Sequence, residues 1–503
     1  MKNVLIYSFW AQGYQEACQL EAANRFISEG DNVLFVTCGS KVGFCSENVL
    51  GCRIACKLCQ NAQRKRAKKF VSNNLNVKNI NSFITKEIDE YSNNYSFDYK
   101  SLEDLKNVLF EGIEIGYGAI SSYVTYTRNI EPDMDKVRPY LDALMRMEVR
   151  CILAFKEIFK QFKPDLVVFH NGRFAHFKPI YGMALKYKID FICTETVTAS
   201  DGSIQIDNIF NNIPHDFQCR GQMFKDFYGS HNCDENREKV ARSFFENRRN
   251  AVFAGDTIYV KDQKQGKLPV DWRDDAENIV IFNSSEDEFF AIGSKYKSVA
   301  LFKTQLEGII AIMEHYKNDK SKHFTLRVHP HLKGIPYHYH IGLYDLNYPN
   351  LTIIPADSDV SSYALMDAAD KIITFGSTMG IESAYWKKPS ISIGFAFYRA
   401  LDVVYTPKDE NELWELLDNK QLGIIDNDRC LPYGYFRMSN KHENFKYVNV
   451  GKAWYFKFKG KKIKGYPYYK FLGSKTLYNK LKRIWDNIER KRPIFASFKR
   501  MPL

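Results

Sequence analysis

The chain has 503 residues, 45% of them hydrophobic and 26% charged, which is ordinary for a soluble globular protein and too long for one core. No apolar run approaches the roughly 18 residues of a membrane span. The apolar run Val4–Tyr7 near the start is too short for a signal peptide. We therefore expect a cytoplasmic protein with more than one domain.

The net charge of +12 comes from one end of the chain. Residues 441–503 contain 18 Lys and Arg against 3 Asp and Glu, whereas the rest of the chain contains 53 against 56. An acidic partner is therefore expected at this tail and not at the body of the protein.

The first half opens with a strand–helix–strand pattern. Asn3–Ser8 and Asn32–Thr37 are predicted buried strands on either side of a helix that runs from about Gln15 to Ser28. Further strands are predicted at Asp165–His170 and Asp190–Thr194. This alternation predicts a parallel sheet with right-handed crossovers. The loop after the first strand lacks the full G-x-G-x-x-G pattern of a dinucleotide site.

Five cysteines fall within 22 residues after the second predicted strand: Cys38, Cys45, Cys52, Cys56 and Cys59. The last three have the spacing with which radical S-adenosylmethionine enzymes hold an iron–sulfur cluster, but the chain lacks the barrel-like repetition of those enzymes. A structural zinc or iron–sulfur site on four of the five thiols is one expectation. Free or buried thiols in a loop are the alternative.

Two polar residues of the first half are candidates for the site. Arg173 follows a predicted strand end, where it is expected either to contact an anionic group or to form an interdomain salt bridge. Glu16, near the loop after the first strand, is a candidate catalytic base.

A polar segment at 261–277 predicts an interdomain linker. A second series of strands follows it, at 278–283, 324–330, 351–357 and 372–376. We therefore expect an N-terminal Rossmann-like acceptor domain at 1–260 with a Cys-rich insertion, a C-terminal Rossmann-like donor domain at 278–430, and a basic tail at 431–503.

The strand ends of the second half carry the candidate donor site, because ligands of open α/β sheets bind at the carboxyl ends of the strands. Arg327 and His329 alternate along one strand and are expected to project from the same face. An Arg side chain supplies bidentate phosphate contacts. A His side chain can donate a proton or a hydrogen bond to a departing phosphate.

A second strand end leads into a helix through the loop Gly376–Gly380. The N-terminus of a helix suits a phosphate because its N–H groups are unpaired. Ser377 and Thr378 are expected to cap this helix and to donate hydroxyls to the phosphate, while Gly380 allows close backbone approach. Glu382 is expected to accept hydrogen bonds from ribose hydroxyls, and ordinary helix capping is the alternative.

The R-x-H-P strand end followed by a Gly-Ser-Thr loop resembles the HP and SS/ST motifs of bacterial sialyltransferases and of transferases for related keto-sugars. Residues 278–420 are similar to capsular polysaccharide glycosyltransferases of the GT-B type, in which two Rossmann-like domains face a cleft, and to teichoic-acid glycerophosphotransferases. The resemblance implies that Arg327 and His329 hold the donor phosphate and that Ser377 and Thr378 bind it from the opposite side. It also implies transfer without a metal or other cofactor.

The sequence does not single out one residue as the catalytic base. Sialyltransferases carry their acidic motif in the N-terminal domain, whereas here the acidic run Glu286–Glu288 opens the second half. Glu286 and Asp287 are candidates beside Glu16. Ser284 and Ser285, which precede the run, are donor-binding candidates.

The tail mixes Lys and Arg with aromatic residues such as Trp454 and Trp485. This composition suits an anionic bilayer surface. Nucleic acid is the less favoured partner because nothing in the α/β core suggests a nucleic-acid module. A basic segment that packs on the catalytic domains is a further alternative. We expect a peripheral location on the inner face of the plasma membrane.

These patterns together predict a glycosyltransferase that moves a sugar from a nucleotide-activated donor, CMP- or UDP-linked, to a surface polysaccharide or a lipid-linked glycan. A teichoic-acid-type glycerophosphotransferase is one alternative. A non-catalytic nucleotide- or glycan-binding protein on the same fold is the other.

Overall fold

The computed structural model describes residues 1–10, 13–48, 53–70, 75–255, 257–297, 299–447, 449–450, 456–458 and 461–463. Two α/β halves, each built on its own sheet, make up most of them. The predicted fold class, two Rossmann-like halves with parallel-dominated sheets, is confirmed.

The sheet of the first half has six strands in the order β3-β2-β1-β4-β5-β6. Its strands are β1 (Asn3–Ser8), β2 (Asn32–Thr37), β3 (Asn76–Asn79), β4 (Leu166–His170), β5 (Asp190–Thr198) and β6 (Ile204–Phe210). Its helices are α1 (Gly13–Ser28), α2 (Arg53–Phe70), α3 (Lys86–Asn94), α4 (Leu102–Lys106), α5 (Ile115–Thr127), α6 (Met134–Phe162) and α7 (Lys178–Tyr187). All strand pairs are parallel except β5 with β6.

The continuous apolar runs of β1 and β2 reflect burial on both faces of a parallel sheet. Both strands have the predicted bounds. Strand β5 is longer than predicted, because its second part, Glu195–Thr198, pairs with the antiparallel β6. Local periodicity does not reveal such a partner.

The sheet of the second half has five parallel strands in the order β11-β10-β7-β8-β9. Its strands are β7 (Glu277–Phe282), β8 (Lys322–Arg327), β9 (Leu351–Ile354), β10 (Lys371–Thr374) and β11 (Ser390–Ser392). The helices from residue 217 onward are α8 (Phe217–Ser230), α9 (Arg237–Arg249), α10 (Gln305–Tyr316), α11 (His338–Ile341), α12 (Ser362–Ala368), α13 (Met379–Tyr385), α14 (Glu410–Asp418) and α15 (Leu431–Met438).

Helices α8 and α9 precede the linker but pack on residues that follow it. The ring of Phe245 stacks on Tyr385 at a centroid distance of 4.0 Å, and Phe244 meets Tyr433 edge-on at 5.4 Å. These residues belong to one buried cluster that joins α9, α13 and α15. Side chains of α9 are thereby placed against helices of the second half.

After α15 the chain returns to the first half. The N–H of Ile206 donates to the carbonyl of Glu443 at 2.8 Å, and the Glu443 carboxylate pairs with Arg25 at 3.2 Å. A small antiparallel sheet follows, made of β12 (Asn449–Val450), β13 (Phe456–Phe458) and β14 (Lys461–Ile463).

The basic tail from 464 onward lies outside the described residues, so its contact with a membrane stays a prediction. The predicted domain boundaries also stay predictions. Across the part of the chain that the structure describes, no helix has both the length and the apolarity needed to cross a bilayer.

Candidate functional site

The carboxyl ends of β7 and β8 meet the first half at the end of α5. Arg128 follows α5 with a left-handed backbone, φ 60°. Its guanidinium donates to both oxygens of Asp287 at 2.8 and 3.0 Å and to Ser285 Oγ at 2.9 Å. It also donates to the carbonyl of His331 at 3.0 Å. A cation of the first half therefore lies at the strand ends of the second.

His329 lies two residues beyond the end of β8, and not within the strand as was predicted, because β8 ends at Arg327. Its N–H donates to Asn283 Oδ1 at 2.8 Å, and its Nδ1 accepts the N–H of His331 at 3.2 Å. The ring of Tyr259 packs edge-on against the imidazole at 5.1 Å. Because Nδ1 is an acceptor, the proton of the neutral ring sits on Nε2. That nitrogen is a hydrogen-bond donor.

Several cations surround His329. Burial lowers the pKa of His329 to about 3, with further contributions from His331 and from the positive charges of Arg327, Arg128 and Arg248. The three guanidinium groups come from β8, from the first half and from α9. Their convergence on one imidazole creates a positive potential that suits an anionic ligand.

Arg327 contributes the most deeply buried charge of the group. The residue is 2% exposed, and its guanidinium donates to the carbonyls of Pro355 and Ser358. Among the described residues no carboxylate lies within ion-pair distance of it. Burial lowers its pKa to about 10. A charge in this setting is normally paired, and a bound anion would supply the partner.

The hydroxyls of the loop before α13 already have contacts within the protein. Thr378 Oγ1 accepts from Nη2 of Arg248 at 2.9 Å, and Ser377 Oγ accepts from the N–H of Met379 at 3.3 Å. Helix α13 has seven residues, and the Thr378 side chain makes no capping hydrogen bond. The link from Thr378 to Arg248 brings this loop into the cationic group around His329.

The glycines of that loop are needed for close contact inside the protein. A Cβ on Gly380 would come 2.2 Å from the hydroxyl of Tyr398. Gly376 has φ 126°, and a Cβ there would come 2.3 Å from the carbonyl of Phe395. The absence of side chains is therefore explained by protein contacts alone, and an approach to a ligand stays a prediction.

Glu382 is fully buried on α13. Nε of Arg248 donates to its Oε1 at 2.9 Å, and the Tyr363 hydroxyl donates to its Oε2. Both carboxylate oxygens therefore have partners before any ligand binds. For Glu382 to contact a ribose, its hydrogen bond with Arg248 or with Tyr363 would have to break.

The two serines after β7 differ in their surroundings. Ser284 Oγ accepts from Nε2 of Gln305 at 2.9 Å inside the second half. Ser285 Oγ lies 3.1 Å from Nδ1 of His331 and accepts from Arg128 at 2.9 Å. Ser285 is thus part of the contact between the two halves, and Ser284 is not.

The three candidate bases occupy different settings. Glu16 is 1% exposed and paired with Arg66 of α2, and burial raises its pKa. Asp287 is paired with Arg128. Both oxygens of Glu286 accept the N–H of Gln305 at 3.2 Å. Burial raises the pKa of Glu286 to about 8. In the described part of the chain no cationic side chain pairs with Glu286, which suits a base at neutral pH.

Arg173 joins the two halves at a second point. Its Nη1 donates to the carbonyl of Glu288, and its Nη2 donates to Thr125 Oγ1 at 3.4 Å. Burial lowers its pKa to about 10. These contacts agree with an interdomain role, although the partner is a carbonyl and not a carboxylate.

The cysteine cluster is described only in part, since Cys52 lies outside the described residues. Burial raises the pKa of Cys38, with further contributions from the neighbouring Cys45 and Cys59 thiols. Asn48 donates to Sγ of Cys56 at 3.1 Å. Within the described ranges no three His, Cys, Asp or Glu side chains are placed to hold a metal ion. A site that includes Cys52 stays a prediction.

Three residues around His329 were not recognised from the sequence. His331 lies two positions after His329, and the His-Pro-His triplet was a visible signal for it. Arg128 ends a stretch of small, hydroxyl and aromatic residues, which is a weaker signal. Arg248 lies in a charged helix, and no local pattern distinguishes it from the neighbouring Arg249.

No known protein-family model matches the sequence, and no curated protein matches it. Comparison with solved structures finds distant similarity. The chain is similar to a β-Kdo 2,4-transferase KpsC of Thermosulfurimonas dismutans, with 12% identity, a TM-score of 0.33, and coverage of 56% of this chain and 79% of that one. The β-Kdo 2,7-transferase KpsC of the same organism is similar at 14% identity and a TM-score of 0.32, with coverage of 56% of this chain and 78% of that one.

The UDP-GlcNAc 2-epimerase of Neisseria meningitidis, bound to UDP-GlcNAc, is similar at 11% identity and a TM-score of 0.27, with coverage of 86% of this chain and 97% of that one. Identities and TM-scores this low do not identify a substrate or a reaction. The chemistry has to be inferred from the side chains of the site.

Proposed function

We propose that the protein is a glycosyltransferase that uses a nucleotide-activated sugar and binds the donor phosphate at the carboxyl end of β8. The observation that supports this most is Arg327, a buried guanidinium without a carboxylate partner among the described residues. A nucleotide phosphate placed beside Arg327 and His329 compensates that charge.

His329 is proposed to assist the leaving group. Its Nε2–H can donate to a phosphate oxygen, because Nδ1 is occupied by the N–H of His331. Negative charge develops on the phosphate when the bond to the sugar breaks, and the surrounding cations stabilise it. A bound anion also offsets the positive charges that help to lower the pKa of His329.

Glu286 is our candidate for the base that removes the proton from the acceptor hydroxyl. Its pKa of about 8 lies near neutrality, so its carboxylate is a stronger base than an ordinary Glu. Asp287 is instead proposed to hold Arg128 in place across the cleft.

The finer features of the proposal come from the sequence. The acceptor is proposed to be a surface polysaccharide or a lipid-linked glycan, and transfer is proposed to need no metal. The basic tail is proposed to bind an anionic membrane surface on the cytoplasmic side, which would bring the enzyme close to a lipid-linked acceptor.

Nucleotide binding tests the donor site. The shift in Tm is measured with CMP, UDP, GDP and CDP for the wild type, Arg327→Met and Arg399→Met. Arg399 is a matched control, because it also donates to backbone carbonyls and burial also lowers its pKa. We expect at least one nucleotide to raise the Tm of the wild type and of Arg399→Met, but not of Arg327→Met. A response of Arg327→Met equal to that of the wild type would contradict the site.

Turnover separates the alternative functions. Cleavage of nucleotide sugars supports a glycosyltransferase, whereas cleavage of CDP-glycerol alone indicates a glycerophosphotransferase. Nucleotide binding with no turnover of any donor and acceptor pair favours a non-catalytic binding protein.

A further inference from the structure

A cavity of about 500 Å³ opens on the first half. Its size lies within the range of roughly 300–1,000 Å³ that small-molecule sites occupy. It is lined by Tyr95, Ser96, Phe97, Asp98, Tyr99, Lys100, Asp104, Asn107, Val108 and Leu109. The partly buried rings of Tyr95 and Phe97 therefore stand among carboxylates, an amide, an ammonium group and a hydroxyl, whereas Tyr99 is 2% exposed.

The aromatic wall of the cavity is held rigidly by α6. Nε of Arg146 donates to the carbonyl of Tyr95 at 3.0 Å, and its guanidinium lies 6.0 Å from the ring centroid of Phe97. Arg138 lies 4.0 Å over the ring of Tyr99 and donates to its carbonyl. A wall that is already ordered loses little conformational entropy when a ligand binds.

The opposite wall is formed by α4 and the residues that follow it. Ser101 and Asp104 form a capping box at the start of α4, with the Ser101 hydroxyl accepting the N–H of Asp104 at 3.1 Å. Asn107 and Asp98 are exposed and free to face a ligand from the two sides of the opening. The cavity is thus a preformed groove with polar rims.

Helix α4 also borders the second half. The Lys106 ammonium lies 4.4 Å from the ring centroid of Phe290, and Lys297 pairs with Glu103 at 3.4 Å. The helix that lines one side of the cavity therefore also contacts the second half.

We propose that this cavity binds a neutral saccharide unit of the acceptor glycan, at a distance from the reacting sugar. Aromatic faces pack against the C–H faces of a sugar ring, and carboxylate and amide groups hydrogen-bond its hydroxyls. The lining carries two carboxylates, Asp98 and Asp104, against one ammonium group, Lys100, so its charge favours a neutral sugar over an anionic one. The inference rests on the proposed function, since it assumes a glycan acceptor.

The test measures binding of neutral hexasaccharides of glucose, galactose and N-acetylglucosamine by calorimetry and by saturation-transfer NMR. It compares the wild type with Phe97→Ala, Asp98→Ala and Phe210→Ala. Phe210 is a matched control in the same half, 59% exposed and outside the cavity. We expect at least one hexasaccharide to bind the wild type and Phe210→Ala, and to bind both cavity variants at least about tenfold more weakly.

The proposal is overturned if no hexasaccharide binds the wild type at about 10 mM, or if Phe97→Ala and Asp98→Ala both bind as the wild type does. Asp98→Ala changes only an exposed side chain, so it keeps the test valid if Phe97→Ala does not fold. Nucleotide binding, measured on the same proteins, separates the two proposals. If the protein binds a nucleotide but no hexasaccharide, the proposed saccharide site is wrong and the donor site is unaffected. If it binds a hexasaccharide but no nucleotide, the saccharide site is supported and the donor site is contradicted.

Discussion

Arg128 and Asp287 lie 159 residues apart and are joined across the cleft by two hydrogen bonds, of 2.8 and 3.0 Å. The first residue ends a helix of the first half, and the second follows the first strand of the second half. The bidentate geometry fixes how the end of α5 and the loop after β7 face each other.

Removal of Arg128 should weaken this contact and leave Asp287, which is 8% exposed, without its cation. For Arg128→Ala we expect a loss of about 2 kcal/mol in the free energy of unfolding, measured by urea denaturation. Arg273→Ala, which breaks an exposed pair with Asp275, is the control and should change the value much less, because solvent screens that pair. Equal effects of the two substitutions would show that the contact across the cleft adds nothing.

Substitution of His329 should reduce turnover without unfolding the protein. His329→Ala removes the Nε2–H donor, and we expect donor turnover to fall by about 10²–10⁴. His329→Gln keeps an N–H donor on a side chain of similar reach, so its rate should lie between those of the wild type and the alanine variant. Rates are measured with the nucleotide sugar that passes the binding test, and near-ultraviolet circular dichroism checks the fold. Wild-type turnover in His329→Ala would refute the donor-site proposal.

Glu286 should make stability depend on pH. Its pKa rises from 4.5 to about 8 on folding, mainly through burial, so the folded protein binds a proton more tightly than the unfolded chain does. Its contribution to stability is therefore complete below about pH 4.5 and is lost as the pH rises through about 8. Glu286→Gln cannot titrate.

The free energy of unfolding is measured in urea between about pH 5 and pH 8. Over this range the wild type should lose stability relative to Glu286→Gln. Glu415→Gln, a change at an exposed helical position, is the control and should run parallel to the wild type. Parallel curves for the wild type and Glu286→Gln would contradict the raised pKa.

Gly380 should be intolerant of a side chain because of Tyr398. We expect Gly380→Ala to cost about 1–3 kcal/mol of unfolding free energy, since its Cβ would overlap the Tyr398 hydroxyl. Tyr398→Phe removes that hydroxyl, although it also loses a hydrogen bond of 2.6 Å to the Ser377 carbonyl. In a double-mutant cycle, Gly380→Ala should therefore cost less in the Tyr398→Phe background. Equal costs in both backgrounds would show that Tyr398 is not the constraint.

The fold could be predicted to a large extent from local patterns. The apolar runs of β1 and β2 identified two buried strands with their bounds, and the His-Pro and Gly-Ser-Thr segments were placed at strand ends. Helix α6 begins at Met134 and contains Pro139 in its second turn, so this proline does not end the helix. The antiparallel β6 was missed, because its pairing with β5 is not visible in local sequence periodicity.

By itself, the sequence determined several of the buried strands and the polar groups that stand at their ends, because burial on both faces of a parallel sheet produces continuous apolar runs that end in polar loops. Only the tertiary structure decided which charges meet there. Arg128 and Arg248 reach His329 through the contact of the halves and through the position of α9, and Glu382 is bound by Arg248 and Tyr363. Ion pairs between distant segments depend on three-dimensional proximity, which local periodicity does not record.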